Sequence, residues 1–175
     1  MWWSRRRALA SLAALASLLA GCGFRPMYGR GAGRQTVAAM TAIEITPIPD
    51  RIGQILRNDL IDSLTPRGQP ARPRYRLAIA IKKSSSALAI QPDATITRFN
   101  LRLDARFTLT DVATGKVVYK DRSRAIGSYN AVKSDFATLA AERDSERRAA
   151  RSLSEEIATL LGVFLARGKA AAGSG

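Results

Sequence analysis

An α+β two-layer sandwich, a four-stranded mostly antiparallel sheet with two helices packed on one face, is the fold that these 175 residues predict. Three observations lead there. Several runs alternate apolar and polar residues at period two, the pattern of half-buried strands. Two longer runs carry apolar residues at three- and four-residue steps, the pattern of amphipathic helices. Their order, β-α-β-β-β-α, lets the strands lie side by side while the helices gather on a single face.

The first strand is short: Ile43 and Ile45 alternate with Glu44 and Thr46, and Pro47 and Pro49 close it. Asp50 is placed to cap the helix that follows. In "DRIGQILRNDLIDSL" the positions Ile52, Ile55, Leu56, Leu60 and Leu64 form one packing face, with Arg51, Arg57 and Asp62 turned to water. The proline- and glycine-rich "TPRGQPARP" ends that helix.

Three alternating strands come next. Tyr75, Leu77, Ile79 and Ile81 share one side of the first, opposite Arg74, Arg76 and Lys82. In the second, Leu101, Leu103, Ala105, Phe107 and Leu109 oppose Arg102, Asp104, Arg106 and Thr108. The loop "DVATGK" makes a hairpin to the third, where Val117 and Tyr119 take one parity and Lys120, Arg122 and Arg124 the other. The sheet therefore has one apolar face and one rich in cations. Between the first two of these strands, "SSSALAIQPDATITR" reads either as a protruding turn or as the ends of two long strands.

From Ser134, a serine cap introduces a helix of about 33 residues, roughly 50 Å long. Its expected core sites are Phe136, Leu139, Ala140, Ala150, Leu153, Ile157, Leu160, Leu161 and Phe164. The middle, "ERDSERR", is polar all round and is expected to project or bend, and Gly168 is expected to stop the helix.

Ahead of the domain lies a cationic start, "MWWSRRR", an apolar run from Ala8 to Ala20, then Gly21 and the only cysteine, Cys22. That order is a secretory signal, and thirteen apolar residues make about 20 Å of helix, short of a bilayer core of about 30 Å. "SRRRAL" is similar to a twin-arginine export signal but lacks the bulky apolar residue usual two places after the arginine pair, so plain charge for general export is the reading kept. "LAGC" matches the lipobox of bacterial lipoproteins. The resemblance implies cleavage before Cys22, a thioether-linked diacylglycerol on its sulfur and an acylated new amino terminus, these covalent lipids being the only cofactor expected. Gly23, where an aspartate would mark inner-membrane retention, implies an outer-membrane address. The resulting division is 1–21 signal, 22–36 flexible tether, 37–167 a single domain and 168–175 a disordered tail.

The chain carries +14, and three of its 28 basic residues lie in the signal, which leaves +11. Such a charge seeks a polyanion; for an exported protein the abundant ones are lipid head groups and lipopolysaccharide phosphates, not nucleic acid. The strands also lack the paired aromatics on which single strands stack. There is no histidine, no paired cysteine, no phosphate loop and no "GxSxG", so neither a metal site nor an enzyme is expected.

The succession "AGCGFRPMYG", "IEITPIPDRIGQILRNDLIDSL" and "YRLAIAIKKSSSALAIQPDATITRFNLRLDARFTLTDVATGKVVYKDRSRAIGSYNAV" before a long last helix resembles the LptE family of lipopolysaccharide-assembly lipoproteins, most nearly its alphaproteobacterial form. The likeness runs from Cys22 to about Arg167. It implies a non-enzymatic protein lodged in the lumen of the outer-membrane barrel LptD, in a heterodimer, binding lipopolysaccharide as it passes to the outer leaflet. A basic residue shortly before the final helix contributes to that binding in better-studied members, and Lys133 stands at the comparable place. A second, in the loop between the middle strands, has no clear match in "IQPDAT", with Arg98 a nearby substitute. Arg102, Arg106, Arg122 and Arg124 are further candidates for the phosphates. The alternative reading is an auxiliary lipoprotein of an envelope lipid transporter.

Overall fold

The computed structural model describes residues 32–89 and 97–172. Helix α1 (Ala32–Met40) leads into strand β1 (Ile43–Ile45), helix α2 (Asp50–Leu64), strands β2 (Tyr75–Ala89), β3 (Thr97–Asp111) and β4 (Val117–Ala131), and the last helix α3 (Asp135–Ala172). The sheet order is β1-β2-β3-β4. β1 runs parallel to β2 through the α2 crossover, and the other two pairings are antiparallel. This is the α+β architecture that the alternation predicts, with α1 as an additional element.

The alternation builds the core. Leu77 and Ile79 of β2 and Leu101, Leu103, Ala105, Phe107 and Leu109 of β3 are buried on the side that the helices cover. Leu56, Leu60 and Leu64 bring α2 onto that face, and Leu153, Ile157, Leu161 and Leu165, at four-residue steps, bring α3. Strands of 15 residues span about 50 Å and a 38-residue helix about 57 Å, so α3 runs the length of the sheet.

Several expectations are corrected. The tether does not run to Thr36: the helix starts at Ala32, because Thr36, Ala39 and Met40 share a buried face within it, a period too short to stand out. Asp50 takes a left-handed backbone, φ 67, at the start of α2, and the capping position before it is Pro49, with no side-chain cap bond. Arg51 and Arg57 do not simply face water: Arg51 pairs with Glu146, and the Nε of Arg57 donates to the Ile45 carbonyl at 3.3 Å. Gly168 does not end α3, which continues to Ala172.

The first turns and the middle of α3 are exchanged relative to expectation. Phe136 (83 % exposed), Leu139 and Ala140 lie on the surface. The "ERDSERR" segment is buried on one side, at Ser145 and Glu146. Small size explains Ser145: a Cβ on Gly127 of β4 would stand 2.5 Å from its Oγ and 3.2 Å from its carbonyl oxygen, so only glycine lets the helix come this close. Charge explains Glu146: Lys83 donates to its Oε1 at 2.8 Å while Arg51 pairs with Oε2, and Lys83 also reaches Glu142 at 3.1 Å.

The loop after α2 closes one edge of the sheet. The Gln69 carboxamide accepts from Ile45 N–H at 3.0 Å and donates to the Ile45 carbonyl at 3.3 Å, as a neighbouring strand would. Strands β2 and β3 are long, reaching Ala89 and starting at Thr97; Ile90, Pro92 and Asp93, on which the protruding turn was expected, lie outside the described residues.

Candidate functional site

The sheet face that no described helix covers carries the cations. Its rows follow from the register: Ala80, Arg106 and Arg122 stand in line across three strands, Lys82, Asp104 and Arg124 in the next row, and Ser84, Arg102 and Ile126 in the one after. Same-face rows are about 7 Å apart along a strand, so Arg98, Arg102 and Arg106 form a ridge on β3 with steps of about 13 Å. All three are exposed.

The rows differ in how their charge is met. Asp104 Oδ1 accepts from Arg124 Nε at 2.7 Å. That bond outweighs desolvation and, with the charges of Arg124, Arg102 and Lys82 beside it, holds the Asp104 carboxyl below the ordinary carboxylate range. Arg106 and Arg122 lie directly opposite one another, and among the described residues neither side chain has an acidic partner. Like charges in that position repel. Ala80 beside them keeps the floor low, and an open depression of about 830 Å³ is rimmed by Lys82, Asp104, Arg106, Arg122 and Arg124. Two unpaired guanidinium groups over an alanine floor suit an anion with several acceptor oxygens, which they would hold through paired N–H bonds.

Lys133 and Arg98 stand at the far end of the sheet from the β3–β4 turn. Arg98 pairs in register with Asn130, three residues before Lys133, and its Nη2 donates to Ser128 Oγ at 3.2 Å. Lys133 sits in the turn between β4 and α3, exposed, and the turn is fixed on both sides. Thr138 Oγ1 accepts from Val132 N–H at 3.0 Å and donates to the Val132 carbonyl at 3.1 Å, while Ser134 Oγ caps α3 by accepting from Ala137 N–H at 3.3 Å. Thus the two terminal candidates share one end, Arg102 links them to the central rows, and of the five candidate arginines Arg124 alone is paired with an acid among the described residues. Cys22 lies outside the described residues.

The match to known proteins decides the family. The model described as LptE, lipopolysaccharide-assembly, matches residues 37–161, from within α1 to the last third of α3. The chain belongs to the LptE family. A putative lipoprotein from Caulobacter crescentus has a similar solved structure, at 25 % identity and a TM-score of 0.64 over 78 % of this chain and 98 % of that one. A minor lipoprotein from Acinetobacter baumannii shares the fold, at 20 % identity and a TM-score of 0.54 over 69 % of this chain and 91 % of the other. No curated protein matches the chain. As an LptE-family protein it is a lipopolysaccharide-assembly lipoprotein of the cell envelope.

Sequence reasoning finds the cationic parity but misses the sorting within it. That Asp104 neutralises Arg124 and leaves Arg106 against Arg122 depends on the register between β3 and β4, which alternation alone does not set. The Arg51–Glu146–Lys83 cluster was equally hidden, because an acid inside "ERDSERR" looks like any solvated helix charge.

Proposed function

We propose that this LptE-family protein is lipidated at Cys22, anchored in the outer membrane, and seated in the lumen of the LptD barrel as a plug and assembly partner, where it binds lipopolysaccharide through its bare sheet face. Binding and not catalysis is its work. The observation that carries the reading is the unpaired Arg106 and Arg122 row with Arg98, Arg102 and Lys133 ranged toward one end. Phosphate monoesters of lipid A are dianionic acceptors that such guanidinium groups bind bidentately. A ridge of cations about 26 Å long, from Arg106 to Arg98, fits a lipid passing along the domain better than a single closed pocket does.

Affinity purification of a carboxyl-tagged copy from detergent-solubilised envelopes tests the partner. A large outer-membrane barrel recovered near one-to-one supports the plug, and an inner-membrane transporter in its place rejects it. The ligand is tested separately. Reversing Arg106→Glu with Arg122→Glu, or Arg98→Glu with Lys133→Glu, should weaken lipopolysaccharide binding while barrel recovery is unchanged. Unaltered binding at moderate salt in both doubles would reject the sheet face as the site.

A further inference from the structure

Large apolar side chains lie exposed around the end of the sheet that holds Arg98, Arg102 and Lys133: Leu88, Ile126, Val132, Phe136 and Leu139. Their placement interleaves them with the cations. Ile126, 61 % exposed, is the register partner of Arg102 on the bare face. Leu88, at 56 %, sits where the β2–β3 register shifts between Ala87 and Ala89, next to the partner of Arg98. Val132 and Phe136 flank Lys133 in the chain, and Leu139 follows Phe136 one turn later on the same side of α3.

This end is held firmly. The two Val132–Thr138 bonds fix the turn that carries Lys133, and behind it the rings of Phe99 and Tyr129 stack with centroids 5.4 Å apart and planes 12° from parallel. Apolar groups presented to water on a stiff frame do nothing for the fold, but a ligand can cover them at little cost in ordering. The middle of the same face differs. Arg106 and Arg122 stand beside Ala80, and neither their row nor the rows on either side hold a large exposed apolar residue. So the middle offers charge alone, and the end offers charge beside apolar surface.

The mixture decides the occupant. Among the described residues none of Arg98, Arg102 and Lys133 makes an ion pair, and the nearby Asp135 lies in the first turn of α3, where the helix dipole offsets its charge. A protein wall would seat poorly here, since the buried centre of a protein interface is depleted of charge. An amphiphile whose phosphates and acyl chains are covalently joined meets both requirements at once.

We infer that this end is the subsite for the acyl chains of lipid A: Ile126, Val132 and Phe136 cover the chains, Arg98, Arg102 and Lys133 hold the phosphates beside them, and the Arg106 and Arg122 row meets phosphates alone. The inference rests on lipopolysaccharide being the ligand and adds where its apolar part lies. Inside a water-filled lumen such a surface shelters the chains of a passing lipid, because apolar area removed from water adds to the attraction between phosphate and guanidinium.

The test uses the full lipidated protein, recovered from envelopes with its partner, and two ligands: intact lipopolysaccharide and the same lipopolysaccharide stripped of its acyl chains. Ile126→Ser with Phe136→Ser, both at exposed positions, should weaken binding of the intact ligand several-fold and leave the stripped ligand unaffected. Unchanged affinity of this double variant for the intact ligand would overturn the acyl subsite alone. Arg98→Glu with Lys133→Glu should weaken both ligands; if neither it nor Arg106→Glu with Arg122→Glu weakens either one, the sheet face is not the lipopolysaccharide site and the acyl subsite falls with it. A photoreactive benzophenone side chain in place of Phe136, illuminated in whole envelopes, identifies the occupant. Adducts with lipopolysaccharide support the subsite, and adducts with the barrel protein alone overturn it.

Discussion

The two faces of the sheet are made by the same three strands, one residue out of step, and they obey different rules. On the covered face the side chains are fixed by the core they share: Leu77, Leu103 and Phe107 lie buried in one cluster with Leu56, Leu60, Leu153 and Ile157 of the helices. On the bare face, among the described residues, only Asp104 and Arg124, with Glu44 and Arg76 at the β1 edge, form ion pairs across strands. The lesson is that the covered face tolerates little change in shape, whereas the bare face holds charge in an arrangement that costs the fold something. Under the proposed function, Arg106 and Arg122 serve a ligand at the expense of the sheet.

The comparison is broken most forcefully from the covered side. Leu103→Ala should lower unfolding stability by about 2–5 kcal/mol, measured by urea denaturation, since Leu103 is fully buried between β2 and β4 neighbours. Gly127→Val should cost about 1–3 kcal/mol, because its side chain would displace α3 at Ser145. Removing charge from the other face should have the opposite sign. Arg106→Ala should leave stability unchanged or raise it by about 0.2–1 kcal/mol, by relieving repulsion from Arg122, while lipopolysaccharide affinity falls. Asp104→Asn should raise that affinity by freeing Arg124, with the melting temperature little altered; a fall in affinity would show that the ion pair, and not the free cation, forms the site.

The smallest effect lies at the sheet end. Tyr119 Oη donates to Asp121 Oδ2 at 2.6 Å, and this bond, with some burial, pushes the phenol up to about 12. A raised folded value means that the stabilisation is complete below the ordinary value of 10.0 and is lost as pH rises through about 12. In a spectrophotometric titration a tyrosine step near 12 is expected, and Tyr119→Phe should remove it.

The fold was legible because period-two alternation and four-residue steps encode which face is buried without needing partners. Leu101 through Leu109, and Leu153 through Leu161, follow directly from that arithmetic. Illegible were the places where burial depends on a distant residue. Ser145 is buried because Gly127 has no side chain, Glu146 because Arg51 and Lys83 meet it, while Phe136, at an apolar position of the same helix, is exposed. The candidate site was half legible in the same sense: the parity of Arg106 and Arg122 could be read, but not their confrontation.

The order of the chain gives α3 one more consequence. A polypeptide made from its amino terminus completes the β2–β3–β4 meander, whose pairings are local, before the residues that roof it exist. Leu101, Leu103 and Leu109 then wait for Leu153, Ile157 and Leu161, which arrive some fifty residues later in the sequence. Loss of the last helix by premature termination therefore leaves a ready-made sheet with a naked apolar side, a template for self-association and a target for proteolysis.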